Sequence, residues 1–573
     1  MARDPKSASR TEGTYAPQRL MIEIRPPAPG AAMAATSQTS LAKAIEKAGG
    51  KLDTGFDPVF IPTVTAQDAM AGGFDNSTRF AVDENGAGSM ILVADGDEKV
   101  ADAIAQLPEV IGVFADLPIE PCLICPGSPP LGNSDDVKRL LCTSDMSGKG
   151  MEGNGVLLAI VDTGINLGHL QAKGVNPAID AGRSWVPGPG MTPFTAPVDH
   201  GTMCAFDALL AAPKATLLDI QLLRSQVGGG FAGFLSEAVR AYQHLRMVMT
   251  APMRPGESRS LVVNNSWGMF HPTWDFPPSD ARNYSDNPNH PFNRAVAALE
   301  AAGADILFAA GNCGADCPDG RCQGVTANAI YGANGHPSVL TIGGVDTTKQ
   351  RVGYSSQGPG RLSRNKPDVC GYTHFSGSGV YAADGGTSAA CPVVAGVVAA
   401  IRSRKPFVAG NPSASPHAVR ELIRTTAQDL SPSGFDFNTG WGVVDGCAIA
   451  RRFIWKFPRF DICKIMPWMC KPPFPDLCRR YPHLCNPIPP RLPPGPGPFP
   501  PGPGPFPPGP GPRGLFAMGD EMGDGDGGNM DETDLMSLMQ MVYYQGMQAA
   551  GGGEGAGPKP VGGGGCGCGG KKS

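Results

Sequence analysis

The chain has little uninterrupted apolar sequence: its longest apolar runs, such as Val393 to Ile401, fall far short of the ~20 residues a spanning helix needs. It also lacks a basic stripe. The formal net charge is −5, so nothing in the charge pattern points to nucleic acid as a partner. The opening MARDPKSASRTEGTYAPQRLMIEIRPPAPG has no apolar stretch behind a basic start, and no secretory signal is readable there. That leans towards the cytoplasm, with export by a non-classical route as the alternative. Sixteen cysteines pull the other way, because oxidised scaffolds belong to export compartments. Charge (17%) and aromatics (7%) are sparse, while Gly (78) and Pro (58) are abundant. The excess is local: GPGPFPPGPGPFPPGPGP and a glycine tract at 551–570 hold much of it.

A chain of 573 residues exceeds what one core supports and divides into several units. Residues 18–120 read as a small α+β unit of ferredoxin-like, split βαβ type. MIEIR (21–25), MILVA (90–94) and VIGVFA (110–115) are strand-like, and SLAKAIEKAG carries Leu41, Ala44, Ile45 and Ala48 at helical spacing behind Ser40 as N-cap. A linker is expected over 121–139. Residues 140–452 then alternate wholly apolar runs with helical patterns: VLLAIVD (156–162), ATLLDIQLL (215–223), SLVVNNS (260–266), DILFAAG (305–311) and SVLTIGG (338–344). Strands that are apolar throughout and separated by helices indicate an α/β fold, a mostly parallel sheet with helices on both faces. In such folds chemistry gathers at the carboxyl ends of the strands, where Asp162, Asn265-Ser266 and Asn312 stand.

Three short stretches hold chemistry: AIVDTGI with Asp162, DHGTMCA with His200 and GGTSAACP with Ser388. A serine hydroxyl is a poor nucleophile until a histidine takes its proton and a carboxylate fixes that histidine's tautomer. Singly, each residue reads as well as a turn former, a loop residue or a helix cap. Their conjunction, with AAGN, where the Asn312 amide follows a strand and could donate to an oxyanion, favours a catalytic set over three unrelated residues.

At this point the sequence resembles the subtilisin-like (subtilase) serine peptidases, whose chain order is Asp, His, Ser. AAPKATLLDIQLL (211–223), NNSWG (264–268), AAGNCG (309–314), IGGVDTTKQRVGYSSQGP (342–359), KPDV (366–369) and GWGVVDG (440–446) follow in family order over about 310 residues. The resemblance implies a serine endopeptidase working through an acyl-enzyme: Ser388 attacks, His200 is base then acid, Asp162 orients it, and Asn312 with the Ser388 amide forms the oxyanion hole. Ser266, Trp267 and Gly268 would line the S1 pocket and pair with substrate backbone. Residues 18–120 would be an inhibitory propeptide, removed by self-cleavage between about Cys122 and Gly148. Pro392 is expected in the first turn of the nucleophile's helix, and Cys391 as a small packing residue. The departures are Asp199 where the family usually has glycine, Met203 and Val393 where histidines are common, and Ala389 for a methionine.

The implied partners are a polypeptide substrate and the chain's own propeptide, with neither nucleic acid nor membrane. No cofactor is required and no metal ligands are assigned; structural calcium, common in related enzymes, finds no identifiable ligands. CGADCPDGRC (Cys313, Cys317, Cys322) reads as a disulfide loop beside Asn312 rather than a zinc knuckle. The Cys/Pro-rich stretch 453–486, with Cys463, Cys470, Cys478 and Cys485, reads as a two-disulfide appendage, with a metal site as the alternative. A Pro/Gly linker (487–514) leads to a low-complexity tail (515–573) with a short amphipathic helix over 531–549. Two rival readings are a catalytically silent binding or scaffold protein on the same fold, and a peptidase maturing its own tethered C-terminal peptide.

Overall fold

The computed structural model describes residues 19–25, 35–62, 88–121, 128–224, 233–252, 260–430 and 432–453. The expected appendage, Pro/Gly linker and C-terminal helix lie outside the described residues.

The N-terminal unit runs β1 (Arg19–Ile24), α1 (Ala35–Lys47), β2 (Lys51–Leu52), β3 (Val59–Ile61), β4 (Ser89–Asp95), α2 (Glu98–Ala105) and β5 (Val110–Ala115). Its sheet is antiparallel, in order β2-β4-β1-β5 with β3 also on β4. Helix α1 begins at Ala35, ahead of Ser40, so Ser40 is not its cap. Helix α2 does start on a cap: the Asp97 carboxylate accepts from the Val100 amide at 2.9 Å. A short strand β6 (Pro118–Pro121) follows.

The stretch expected as linker contains a helix, α3 (Ser134–Leu140), whose first turn closes a capping box between Asn133 and Asp136. Next come α4 (Thr143–Gly148), β7 (Val156–Val161), α5 (Leu167–Ala172), β8 (Ala178–Ile179), α6 (His200–Leu209), β9 (Thr216–Ile220), β10 (Gly233–Phe234), α7 (Leu235–Thr250), β11 (Ser260–Asn265) and β12 (Trp267–Gly268). The last are α8 (Pro291–Ala301), β13 (Asp305–Ala309), β14 (Leu340–Val345), β15 (Val369–Tyr372), α9 (Gly386–Arg404), α10 (Pro416–Thr426) and α11 (Gly446–Arg452). Seven strands form one sheet, β15-β14-β13-β11-β7-β9-β8, and every pair in it is parallel. Buried on both faces, its strands have no reason to alternate polar with apolar residues.

The chain winds outward from β7 in one direction to β9 and in the other to β11, so strand order reverses there. A crevice opens at such a reversal, outside the carboxyl ends of the strands. Asp162 follows β7 and Ser266 follows β11 at that crevice. Helix α9 is long and apolar enough to span a membrane, but 94% of its apolar window is buried as the core helix of this sheet. Gly396 sets how closely it meets α6: a Cβ there would lie 2.1 Å from the Ala208 carbonyl oxygen.

Two disulfides join described residues. Cys142–Cys447 ties α3–α4 to α11, and Cys313–Cys322 closes a ten-residue loop; Cys317 is also oxidised. Among the described residues, Cys204, Cys370 and Cys391 stay as thiols, all buried.

Candidate active site

Asp162 is buried at the end of β7 and His200 is the first residue of α6. The imidazole Nδ1 lies 2.8 Å from the Asp162 carboxylate. Three local features bring them together. The Asp162 carboxylate accepts from the Thr163 amide at 2.7 Å, the Thr163 hydroxyl accepts from the Gly201 amide at 2.9 Å, and Gly164 turns the chain at φ +100°. Gly201 is required because a Cβ there would stand 2.5 Å from the Gly164 carbonyl oxygen. The next turn is held by buried Asp219, which accepts from the Ile165 and Phe194 amides. Burial pushes the Asp219 carboxyl up to about 6 against those bonds.

Asp199, the departure from family glycine, caps α6 by accepting from the His200 amide at 2.7 Å. It also accepts from the Tyr381 hydroxyl at 2.5 Å. Burial and that bond to the Asp199 charge hold the Tyr381 phenol in its protonated form.

Ser388 is the third residue of α9, in the first turn, where amides lack intrahelical partners. Its hydroxyl donates to the Ser266 carbonyl at 3.1 Å. His200 Nε2 is buried with no hydrogen-bond partner among the described residues, so the Ser–His bond itself is not formed in this arrangement. The Cys204 sulfur marks how close the groups are: it lies 3.8 Å from His200 Nδ1, 3.8 Å from Asp162 Oδ2 and 3.6 Å from the Ser388 carbonyl oxygen. Burial pushes the Cys204 thiol well up, so it is a neutral donor.

Pro392 corrects an expectation. It sits inside α9 rather than in its first turn. A proline there removes the amide that would bond the carbonyl four residues back, which is that of Ser388. The freed carbonyl accepts instead from the Ser266 hydroxyl at 3.1 Å and from Cys204. The backbone of the serine is thereby anchored to β11 and α6. Cys391 is buried, with its sulfur 3.8 Å from the Asn265 carbonyl.

Asn312 is buried past the end of β13. Its carboxamide oxygen accepts from both the amide and the hydroxyl of Thr387, each at 2.9 Å, which turns the NH2 branch away from Thr387. Of the SWG segment, the backbone of Trp267-Gly268 pairs antiparallel with Pro121-Glu120. The Trp267 indole instead enters the core against Phe292 and Phe308. Strand β6 pairs on its other side with β10, Gly233 opposite Ile119. Residues 118–121 are thus the middle strand of a three-stranded sheet across the crevice.

Sequence reasoning passed over Cys204, Tyr381, Thr387 and Asp219. Cys204 was findable, since four residues along a helix return to the same face. Nothing in a one-dimensional pattern joins Tyr381 to Asp199.

A parallel sheet that delivers a buried carboxylate–imidazole pair and a helix-borne serine to one crevice defines the class: a hydrolase of the serine-peptidase type. A sequence model described as the Subtilase family matches residues 153–442, and the chain belongs to that family. It is 28% identical to Subtilisin DY of Bacillus licheniformis over 318 residues, 54% of this chain and 97% of the relative. It is 26% identical to Subtilisin Savinase of Lederbergia lenta over 310 residues, 53% of this chain and 93% of the relative. Serine protease AprX of Bacillus subtilis (strain 168) is 26% identical over 318 residues, 48% of this chain and 62% of that protein.

Proposed function

We propose that this serine endopeptidase works through Asp162, His200 and Ser388 and is made as a self-processed precursor. The observation that carries the reading is the buried 2.8 Å Asp162–His200 pair, whose far nitrogen has no partner among the described residues, with the Cys204 sulfur within 3.8 Å of both groups and 3.6 Å from the Ser388 carbonyl oxygen. In the productive arrangement the Ser388 hydroxyl, which donates to the Ser266 carbonyl here, would donate to that nitrogen instead. Catalytic hydrogen bonds are often open until substrate is in place. His200 then takes the hydroxyl proton as Ser388 attacks the scissile carbonyl, and returns it to the leaving amine. Asp162 keeps the proton-bearing Nδ1 pointed inward. The Asn312 NH2 and the Ser388 amide, at the positive end of α9, receive the oxyanion.

The polypeptide substrate adds a strand between β10 and β12. The N-terminal unit supplies such a strand in β6 and holds it with specific contacts. Asp116 accepts from the Ser236 amide (2.8 Å) and hydroxyl (2.7 Å) at the start of α7, Arg19 pairs with Asp116, and Arg294 on α8 pairs with Glu23. Those contacts support reading residues 18–120 as an inhibitory propeptide. One residue beyond the Trp267–Pro121 pair comes Cys122, so the bond on its carboxyl side is the one expected to be cut.

A serine-directed fluorophosphonate should label wild type at Ser388 and leave Ser388→Ala unlabelled. Wild type should also shorten to a new N-terminus at Leu123, while Ser388→Ala stays full length. Absence of labelling and an intact wild-type band would overturn the peptidase mechanism in favour of a silent scaffold.

A further inference from the structure

Resting on the peptidase reading, we infer that Arg321 is a specificity residue that selects substrates with an acidic side chain opposite Gly268. In β6 alternate side chains face opposite ways: Ile119 is buried, and Glu120, paired with Gly268, turns the other way. There its carboxylate meets Arg321 at 2.8 Å. Arg321 belongs to the loop closed by Cys313–Cys322, which begins directly after Asn312. That loop is fastened to the oxyanion residue, since the Asp319 amide donates to the Asn312 carbonyl at 2.8 Å.

The guanidinium is also held by contacts that do not involve the added strand. Asp319 accepts from two of its nitrogens, at 3.0 and 2.9 Å, and its carbon lies 3.6 Å from the centre of the Phe270 ring. Its third nitrogen donates to Glu120 on β6 at 2.8 Å. A long side chain held this way loses little further freedom on pairing. The contact is made by one side chain of the added strand and needs nothing from the rest of the N-terminal unit. A free peptide running through the same cleft therefore meets the same cation.

The test uses the self-processed protein from the full chain and three peptides that differ at one position: LPIEPCLI, LPIQPCLI and LPIKPCLI. Wild type should cut the glutamate peptide with a kcat/KM about fivefold above the glutamine peptide, and further above the lysine peptide, the range of a partly exposed charge pair. The Arg321→Glu protein should reverse the order of the glutamate and lysine peptides, which a merely structural role for Arg321 would not do. Equal rates on all three by wild type would overturn this inference and leave the peptidase reading standing, whether or not the variant folds. An order unchanged in Arg321→Glu would also overturn it. No cleavage of any peptide by wild type would overturn both.

Discussion

Gly201 shows how much of the site rests on one missing methyl group. Its backbone approaches the Gly164 turn closely, and His200 and Asp162 meet at 2.8 Å. In Gly201→Ala the new Cβ would stand 2.5 Å from the Gly164 oxygen and 2.9 Å from its nitrogen, both backbone atoms that cannot yield. Either α6 shifts outward or the Asp162 loop moves. A displacement of the order of 1 Å at a catalytic group costs about a hundredfold. Gly201→Ala is expected to lose at least tenfold in kcat/KM, measured on a peptide substrate, with its far-ultraviolet circular dichroism unchanged. Asp199 works at the same scale, holding the His200 amide and the Tyr381 hydroxyl with one carboxylate.

Among the elements, α9 carries the largest conflict between local and tertiary demands. Pro392 costs a helix interior about 3 kcal/mol in an isolated context. Within the fold, the carbonyl it liberates bonds Ser266 and Cys204 and fixes the serine's backbone. Restoring the amide in Pro392→Ala lets the Ser388 carbonyl turn back into the helix and releases the Ser266 hydroxyl. The expected result is a kcat lowered severalfold with a Tm equal to or above that of wild type. A Tm drop with kcat unchanged would mean that Pro392 serves packing alone. The loop 313–322 also serves two ends, since its disulfide braces the residue after Asn312 while its Arg321 pairs with Glu120 of β6.

Across the whole molecule, buried acids make stability depend on pH. Asp207 on α6 faces Asp384 in the loop before α9, and burial together with the Asp384 charge holds its carboxyl well above the usual range. Burial pushes Asp384 itself up to about 6, although it accepts from the Ser378 amide at 2.6 Å and from the Ser378 hydroxyl. A carboxyl with a raised pKa binds its proton more tightly in the folded than in the unfolded chain. Its contribution is therefore complete below about pH 4 and is lost as pH rises through 6 and above. Asp207→Asn keeps an uncharged donor beside Asp384, so it should raise Tm at pH 8 by about 2–4 °C and change it little at pH 4. Scanning calorimetry at the two pH values checks this; equal shifts at both would show that the carboxyl does not titrate between them.

The apolar strands at 156–162, 260–266 and 305–311, the helical stripes between them and the Asp, His and Ser stretches were all legible in the chain, because period, turn residues and local chemistry are properties of neighbours in sequence. Cys391 as filler and a disulfide loop beside Asn312 could be read in the same way. Pro392 falls deeper in its helix than the local sequence suggests because α9 starts at Gly386, whose amide donates to the Tyr354 hydroxyl and whose carbonyl accepts from the Thr373 hydroxyl, not at any side-chain cap. The Asp199–Tyr381 bond, the Asp207–Asp384 pair and the meeting of Glu120 with Arg321 belong to tertiary structure alone. Each joins residues between 177 and 201 positions apart, by differences of their numbers, and only the winding of the chain through its sheets brings such distant segments together.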